Sequence, residues 1–387
     1  PESTASYFPL LYKFSKKIEA ERLCKAVETA VNAHPGLIAT IEGDQTKGFR
    51  IVPCKERWSV EVERMTDAAM EEEKKKLIRI FKFIGEPLFF ARVIETQSAV
   101  YLYLQIHHII TDGMSNDILR DDIAKAYGGA VVDAEQLPAY QLNERYERKR
   151  GEKIYEECRE WFLNEFEGSP GGVDTSVKGE MRSWKKELQI PSHSDLEALC
   201  GKKSITLNVL FMACAAYALG RKQNISDVRL SASFHGRTTN DISDTIGFVA
   251  TPRIYRFHWD QEEPVDSYLL RSKTHIMGNM SRSVFDAIDL MEEAHLPADA
   301  PIFIYQGALG YPVLTLDGET GEFKKLDVEA PPTRPLIIFV FDAEIERFNI
   351  SVDYDSSQYD IKDIEQIDEA FELCLNKIMK VESIKEI

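Results

Sequence analysis

The 387-residue sequence lacks the features that mark several large classes of protein. Its six cysteines are scattered and form no CxxC pair, so the sequence predicts reduced thiols and neither a zinc site nor a disulfide framework. No apolar run approaches the roughly 20 residues that a membrane span needs. The first residues contain no basic stretch followed by an apolar one, so we expect no signal peptide and a cytoplasmic location.

Positive charge is also scarce. Lys and Arg total 47 against 64 for Asp and Glu, which gives a net charge of −17. Proteins that bind nucleic acids or anionic lipids normally present a basic surface, so this balance argues against both kinds of partner. The sequence contains no GxxxxGKS/T or GxGxxG phosphate loop, no GxSxG nucleophile turn and no HExxH metal motif. It therefore gives no support to a bound nucleotide, dinucleotide or metal.

Helix and strand patterns alternate along the whole sequence. Apolar residues at helical spacing predict helices over 18–34 and 67–84, and a single long charged helix over 141–166. Residues 99–107 are rich in Val, Ile and Tyr and read as a strand, as do residues 247–257. The alternation predicts an α/β protein.

Glycine, proline and serine are concentrated at 168–180, which is typical of a linker. This linker predicts two α/β halves of similar size, an N-terminal half at 1–167 and a C-terminal half at 181–387. A chain of 387 residues has the length expected of two to three domains, which agrees with that division.

One pattern carries candidate chemistry: HHxxxDG at 107–113, after a strand and before a helix. Imidazole titrates near neutrality, so one histidine can take a proton from an attacking amine or hydroxyl. Neighbouring strand residues point to opposite faces, so His108 is the candidate catalytic group and His107 turns inward to brace the strand. A buried Asp112 would need an Arg partner, and Gly113 would let a substrate approach the backbone closely. Singly, such residues are more often structural, but the complete pattern is far more specific.

The stretch HHIITDGMS at 107–115 resembles the active-site motif of chloramphenicol acetyltransferase-like acyltransferases. Among these it is most similar to condensation domains of nonribosomal peptide synthetases. Five further stretches are similar to motifs of this family and occur along the chain in the family's order. They are HPGL at 34–37, SASFHGR at 231–237, IGFVATP at 246–252, FIYQ at 303–306 and ISVDY at 350–354. The resemblance covers nearly the whole chain.

The resemblance implies two chloramphenicol acetyltransferase-like halves that form a V-shaped pseudo-dimer around a central tunnel, with His108 as the catalytic residue at its centre. It implies that Asp112 pairs with Arg237, and that both support the active site together with His107. The positions that we expect to bind substrate are Gly113, Met114, Ser115, Gln306 and Tyr354.

The activity that the resemblance implies is amide-bond formation between a carrier-bound acyl or aminoacyl thioester and an amine acceptor. Two carrier proteins would supply 4′-phosphopantetheine thioesters, with an adenylation domain nearby and neither a cofactor nor a metal bound to this chain. The residues leave open whether His108 acts as a general base or positions the nucleophile. Two alternatives also stay open: a freestanding acyl-CoA-dependent O- or N-acyltransferase of the same superfamily, and an inactive domain that recruits carriers.

Overall fold

The computed structural model describes residues 7–387 apart from 45, 47, 170–178, 297–299, 308–311, 327–333 and 344–345. Most of the linker predicted at 168–180 therefore lies outside the described residues. Helices and strands alternate along the described chain, so the predicted α/β class is confirmed.

The secondary-structure elements fall into two groups, before and after the predicted linker. The first group is β1 (Tyr7–Ser15), α1 (Ala20–Ala33), β2 (Thr40–Asp44), β3 (Gly48–Val52), β4 (Val62–Arg64), α2 (Asp67–Glu73), β5 (Phe89–Glu95), β6 (Ala99–His107), α3 (Gly113–Tyr127), α4 (Ala139–Lys149) and α5 (Lys153–Phe166). The second group is β7 (Met181–Glu187), α6 (His193–Lys203), α7 (Leu207–Gln223), β8 (Asp227–Phe234), β9 (Thr251–His258), α8 (Val265–Ser281), α9 (Ala287–Glu293), β10 (Ile302–Gly307), β11 (Thr315–Leu316), β12 (Glu319–Thr320), β13 (Glu322–Lys325), β14 (Leu336–Asp342), β15 (Phe348–Asp355) and α10 (Ile361–Lys377).

The chain divides into two compact units, and neither unit is continuous in sequence. The first unit comprises Pro1–Glu147, His235–Ala250 and Tyr311–Ala330. The second unit comprises Arg148–Phe234, Thr251–Gly310 and Pro331–Ile387. Two later segments thus belong with the N-terminal part of the chain, which a purely linear division does not anticipate. The linker at 168–180 as a boundary between halves stays a prediction.

The sheet of the first unit places the end of β6 beside the start of β1. Its strand order among the described residues is β13-β1-β6-β5-β4, and β1 runs antiparallel to β6 with Tyr7 opposite His107. Helices α1 and α3 cover one face, where Leu23, Val27 and Leu119 are at most 1% exposed. Burial of each such side chain contributes about 1.5–3 kcal/mol. This packing fixes the strand end that carries the motif.

The second unit is built around α7, which is buried from Val209 to Gly220. Its sheet has the order β7-β15-β14-β10-β8-β9, and α10 packs in the same apolar core. A helix that is apolar all round is stable only when it is covered all round. Among the described residues no single helix is long and apolar enough to cross a membrane, although α6 and α7, bent by 95°, pass that test as a pair.

Two predicted helices differ from the structure. The helix predicted over 67–84 ends at Glu73 and is followed only by a 3₁₀ turn at Lys74–Lys76. Met70 is its one buried side chain, and helices gain most of their stability from packing an apolar face. The single helix predicted over 141–166 is two helices, α4 and α5, which separate next to Gly151, where glycine lowers helix propensity.

Candidate active site

The HHxxxDG motif lies at the junction between β6 and α3. Strand β6 ends at His107, a 3₁₀ turn spans His108–Ile110, and α3 begins at Gly113. Asp112 caps this helix, because its side chain accepts a hydrogen bond from the Ser115 N–H at 2.8 Å. The cap satisfies an amide that has no partner within the helix. Strand β6 before the motif and helix α3 after it therefore hold the motif in position.

His108 is half-buried, and its two ring nitrogens have different surroundings. Nδ1 lies 2.9 Å from the carbonyl oxygen of Thr111, which can only accept, so the proton of the neutral ring is on Nδ1. No hydrogen bond within the described part of the chain involves Nε2, which then carries a lone pair. Phe8 and Phe248 flank the ring at centroid distances of 4.8 and 5.2 Å. The neutral ring can therefore accept a hydrogen bond or a proton at Nε2.

His107 has a different environment from its neighbour. Its ring lies against Tyr7 and Phe83, at centroid distances of 5.4 and 5.8 Å. Its Nδ1 accepts a hydrogen bond from the Ile109 N–H at 3.0 Å. Burial, with a smaller contribution from the charge of His108, lowers the pKa of His107. A neutral His107 ring that is hydrogen-bonded to the 3₁₀ turn suits a residue that braces the end of β6. This supporting role stays a prediction.

Asp112 and Arg237 form a buried two-pronged ion pair. The Arg237 guanidinium donates from Nη1 to Asp112 Oδ2 at 2.9 Å and from Nη2 to Oδ1 at 3.1 Å. It also donates from Nε and Nη2 to the carbonyl oxygen of Thr245, at 3.2 and 2.8 Å. Burial by itself would raise the pKa of Asp112, but the hydrogen bonds and the charge of Arg237 outweigh it and lower the pKa. The structure thus brings together the two residues whose pairing the resemblance implied.

The segment 246–250 wraps around the same carboxylate. The N–H groups of Val249 and Ala250 donate to Asp112 Oδ2 at 3.1 and 2.9 Å. These amides face a carboxylate instead of a neighbouring strand. The strand predicted over 247–257 therefore begins only at Thr251, the first residue of β9.

Ser115 joins the segment 246–250 to the ion pair. Its Oγ accepts hydrogen bonds from Arg237 Nη2 at 2.8 Å and from the Gly247 N–H at 3.0 Å. Phe248 follows directly and lies edge-on against the His108 ring. The buried ion pair is thereby connected, through backbone hydrogen bonds, to the aromatic wall beside the candidate catalytic ring.

The structure also places the residues that we expect to bind substrate. A Cβ added at Gly113 would meet nothing within 4 Å, so the space before this helix start is open. Met114 is half-buried, whereas Ser115 is fully buried. In the second unit, Gln306 is half-buried near the end of β10, and Tyr354 is 4% exposed within the apolar core. Substrate contact by these five residues stays a prediction.

Sequence reasoning missed a buried charge network behind the site. His34 is 0% exposed, with Nε2 2.9 Å from Asp122 Oδ2 and Nδ1 3.0 Å from Glu135 Oε2. Glu135 Oε2 also accepts from the Ile246 N–H at 2.9 Å, which ties the end of α1 to the segment 246–250. Burial by itself would lower the pKa of His34, but the hydrogen bonds and charges of the two carboxylates raise it. Only the HPGL stretch gave any signal, because both carboxylates are distant in sequence.

Comparison with known sequences agrees with this geometry. The family model described as Condensation domain matches residues 1–384. Surfactin synthase subunit 2 of Bacillus subtilis (strain 168) is 21% identical over 315 residues, which cover 78% of this chain and 9% of that protein. Bacitracin synthase 2 of Bacillus licheniformis is 23% identical over 260 residues, 64% of this chain and 10% of the relative. The chain thus spans about a tenth of the length of these curated relatives.

Solved structures share the fold. The first condensation domain of the calcium-dependent antibiotic synthetase, in complex with a substrate analogue, is similar with a TM-score of 0.76 and 15% identity, over 100% of this chain and 94% of that one. The condensation domain from Monacolin K polyketide synthase gives a TM-score of 0.78 and 16% identity, over 97% and 93%. The X-domain from teicoplanin biosynthesis gives 0.75 and 15%, over 97% and 91%. At these identities the likeness concerns the fold.

Proposed function

The chain belongs to the condensation domain family, and from this membership we propose that it forms an amide bond between a carrier-bound acyl or aminoacyl thioester and an amine acceptor. The observation that carries the proposal is the state of His108. Its Nδ1–H is held by the carbonyl oxygen of Thr111 at 2.9 Å, which leaves the lone pair on Nε2 for an incoming N–H group.

The proposed reaction is the attack of an amine nitrogen on a thioester carbonyl. A carbon–nitrogen bond forms, the carbon–sulfur bond breaks and the sulfur leaves with the electron pair as a thiolate. The proton that the amine loses ends on this sulfur, which gives the free thiol. His108 Nε2 accepts the hydrogen bond from that N–H, either taking the proton or orienting the nitrogen. Both versions require a neutral ring at the working pH.

The groups around His108 support this role through position. Thr111 fixes the tautomer, and the ion pair of Asp112 with Arg237 holds the turn and the start of α3. The open space before Gly113 suits the approach of a substrate to the helix start. We propose that Gly113, Met114 and Ser115, at the start of α3, contribute to the substrate site. Substrate contact by Gln306 and Tyr354 stays a prediction of the resemblance.

The proposed partners are a donor and an acceptor carrier protein, each with a 4′-phosphopantetheine arm that bears the reacting group, and a neighbouring adenylation domain. The first two relatives, both named as synthases, are about ten times longer than the region they share with this chain, which supports a multidomain setting. In this reaction phosphopantetheine is part of the substrate, because the carrier proteins bear it.

The test measures amide formation from a thioester-loaded donor carrier and an aminoacyl-loaded acceptor carrier by mass spectrometry. We expect product with the wild-type chain and a loss of at least about a hundredfold in His108→Ala, the scale of a general base or of one lost transition-state hydrogen bond. His258→Ala, at an exposed histidine of β9, is the matched control and should retain activity.

The same assay separates the alternatives. Efficient turnover of free acyl-CoA, with none from loaded carriers, would replace the proposal by an acyl-CoA-dependent acyltransferase. Tight carrier binding without either activity would indicate a recruiting domain. If His108→Ala is as active as the wild type, His108 has no part in the mechanism.

A further inference from the structure

A cavity of about 220 Å³ lies in the first unit next to the candidate catalytic turn. Among the described residues its lining includes no charged side chain, and Tyr140 supplies the one side-chain hydroxyl. Its apolar side chains include Ile41, Ile51, Ile109, Ile110, Ala139 and Phe248. A cavity with such a lining favours an apolar occupant over an ion or a sugar.

The cavity borders the turn that carries the candidate catalytic histidine. Ile109 and Ile110 follow His108 in the same 3₁₀ turn. Phe248 lines the cavity and also lies 5.2 Å, centroid to centroid, from the His108 ring. A substrate group inside the cavity would therefore lie beside the turn and the aromatic wall that flank that ring.

The cavity wall is built to hold its shape. An added Cβ at Gly247 would lie 2.1 Å from the Cβ of Ala139, so these two wall segments approach each other as closely as glycine allows. The neighbouring Ile246 N–H is held by Glu135, which is itself bonded to the buried His34. Backbone contact and a charge network thus fix the wall, so the space can discriminate by size.

The hairpin of β2 and β3 contributes one wall of the cavity. Ile41 and Ile51 are direct cross-strand partners, and both line the cavity. Ile51 is 41% exposed, and Phe49, two residues earlier on the same face of β3, is 58% exposed but does not line the cavity. Strand β3 thus offers one residue that borders the cavity, Ile51, and a matched neighbour that does not, Phe49.

We propose that this cavity binds the apolar side chain or acyl group of the thioester substrate and sets its maximum size. A cavity of about 150 Å³ lined by aliphatic and aromatic side chains accommodates benzene, so 220 Å³ suits a group such as a leucyl, phenylalanyl or hexanoyl chain. The inference rests on the proposed function and adds the substrate class to it. The apolar group belongs either to the donor acyl or to the acceptor residue, and the experiment distinguishes these sources.

The experiment compares Ile51→Trp, which narrows the cavity, and Ile51→Ala, which widens it, with Phe49→Trp as the control. In the donor arm, carriers loaded with acetyl, butanoyl, hexanoyl and octanoyl groups react with one fixed acceptor. In the acceptor arm, glycyl- and leucyl-carriers react with one fixed donor. The wild-type kcat/KM should rise by about fourfold for each methylene buried, up to the size limit, in the arm whose substrate enters the cavity.

In that arm we expect Ile51→Trp to lower the preference for the larger substrate at least about tenfold while turnover of the smallest stays within about twofold. Ile51→Ala should move the preferred length upward, and Phe49→Trp should match the wild type. Equal loss for small and large substrates, or no change in either arm, would overturn the proposal.

Binding is also measured without turnover, so that a failure of the proposed function is distinguishable. The probe is hexanoyl-N-acetylcysteamine, titrated by calorimetry against the full chain, with acetyl-N-acetylcysteamine for comparison. If Ile51→Trp weakens hexanoyl binding and Phe49→Trp preserves it, the result supports binding of the apolar group in the cavity, even if no condensation occurs. Equal affinity of both probes, or no binding of either, contradicts it.

Discussion

His107 and His108 use the same ring atom in opposite ways. His107 Nδ1 accepts the Ile109 N–H at 3.0 Å, whereas His108 Nδ1 faces the carbonyl oxygen of Thr111 at 2.9 Å and must donate. The neutral ring of His107 therefore carries its proton on Nε2, and that of His108 carries it on Nδ1. Only His108 has a lone pair on Nε2, the nitrogen that no described residue engages. This difference, more than the presence of two histidines, distinguishes a supporting residue from a catalytic one.

Nitrogen NMR tests these tautomers directly. In protein labelled with ¹⁵N at histidine, we expect the neutral His108 to show a protonated Nδ1 and a bare Nε2, and His107 to show the reverse. His107→Ala and His108→Ala assign the signals. Two rings in the same tautomer, or a His108 protonated at Nε2, would contradict the assignment and the mechanism that depends on it.

The ion pair of Asp112 and Arg237 yields a prediction about stability. Both side chains are at most 4% exposed, so Asp112→Asn leaves a buried guanidinium without its counter-charge. Breaking a buried pair in this way costs about 3–5 kcal/mol of unfolding free energy. Urea denaturation should show that loss. Hydrogen exchange should show faster exchange at the N–H groups of Val249 and Ala250, which donate to the same carboxylate.

The control for this prediction is the exposed pair of Arg50 with Glu42. Their side chains are 77% and 46% exposed, and screening by water leaves such pairs with little effect on stability. Arg50→Ala should therefore leave the urea midpoint nearly unchanged. If Asp112→Asn is equally harmless, the buried pair does not hold the turn and the segment 246–250.

The sequence predicted those features of the site that depend on local pattern. The apolar run of β6, the helix α1 and the seven-residue motif are recognisable within short windows. A buried Asp112 required a cation as its partner, and the family resemblance identified that cation as Arg237. The tautomer of His108 could not be predicted, because it depends on the direction of a backbone carbonyl, that of Thr111.

Other features depend on distant parts of the chain. Glu135 becomes important only because folding places it between His34 and the Ile246 N–H, 101 and 111 residues away in sequence. Residues 247–250 have a strand-like composition, yet the amides of Val249 and Ala250 bind the carboxylate of Asp112. Tertiary contacts override local preference here, since an ionised acceptor forms stronger hydrogen bonds than a neighbouring strand.

His34 yields a prediction about pH. The raised pKa of His34 means that its contribution to stability is fully present below the unfolded value of about 6.5 and is lost as pH rises through the folded pKa. His34→Gln should therefore lower the unfolding free energy most near pH 6, by about 3–5 kcal/mol, because two buried carboxylates lose their cation. The gap between variant and wild type should shrink on the alkaline side. Urea denaturation at several pH values measures this gap.

His295→Gln, at an exposed histidine, serves as the control and should follow the wild type throughout. Proton NMR titration of the His34 ring gives an independent measurement. A ring that loses its proton below pH 6.5, or a constant difference between His34→Gln and the wild type at every pH, would show that His34 is neutral in the folded chain.

Asp368 in α10 is a buried carboxylate whose ionised form destabilises the fold. It is 2% exposed; Oδ2 accepts from Lys186 Nζ at 2.7 Å, while Oδ1 has no hydrogen-bond partner in the described part of the chain. Burial raises its pKa to about 6, against the favourable charge of Lys186 and with help from the negative charge of Glu372. Between about pH 3.8 and 6 the folded state binds the proton more tightly than the unfolded state, so stability falls as pH rises through this window.

Asp368→Asn should therefore stabilise the chain at neutral pH. The amide removes a charge that the fold disfavours, and Lys186 keeps Glu372 at 2.8 Å as its partner. We expect a gain of up to about 3 kcal/mol at pH 7.5, because a pKa raised from 3.8 to about 6, with the attraction of Lys186 already included, corresponds to about 1.36 kcal/mol for each pH unit. The gain should vanish near pH 4, where the wild-type carboxyl is protonated. Glu372→Gln is the matched comparison, because it keeps Asp368 and should only lower its pKa. A destabilised Asp368→Asn at pH 7.5 would mean that the ion pair with Lys186 outweighs the cost of burial.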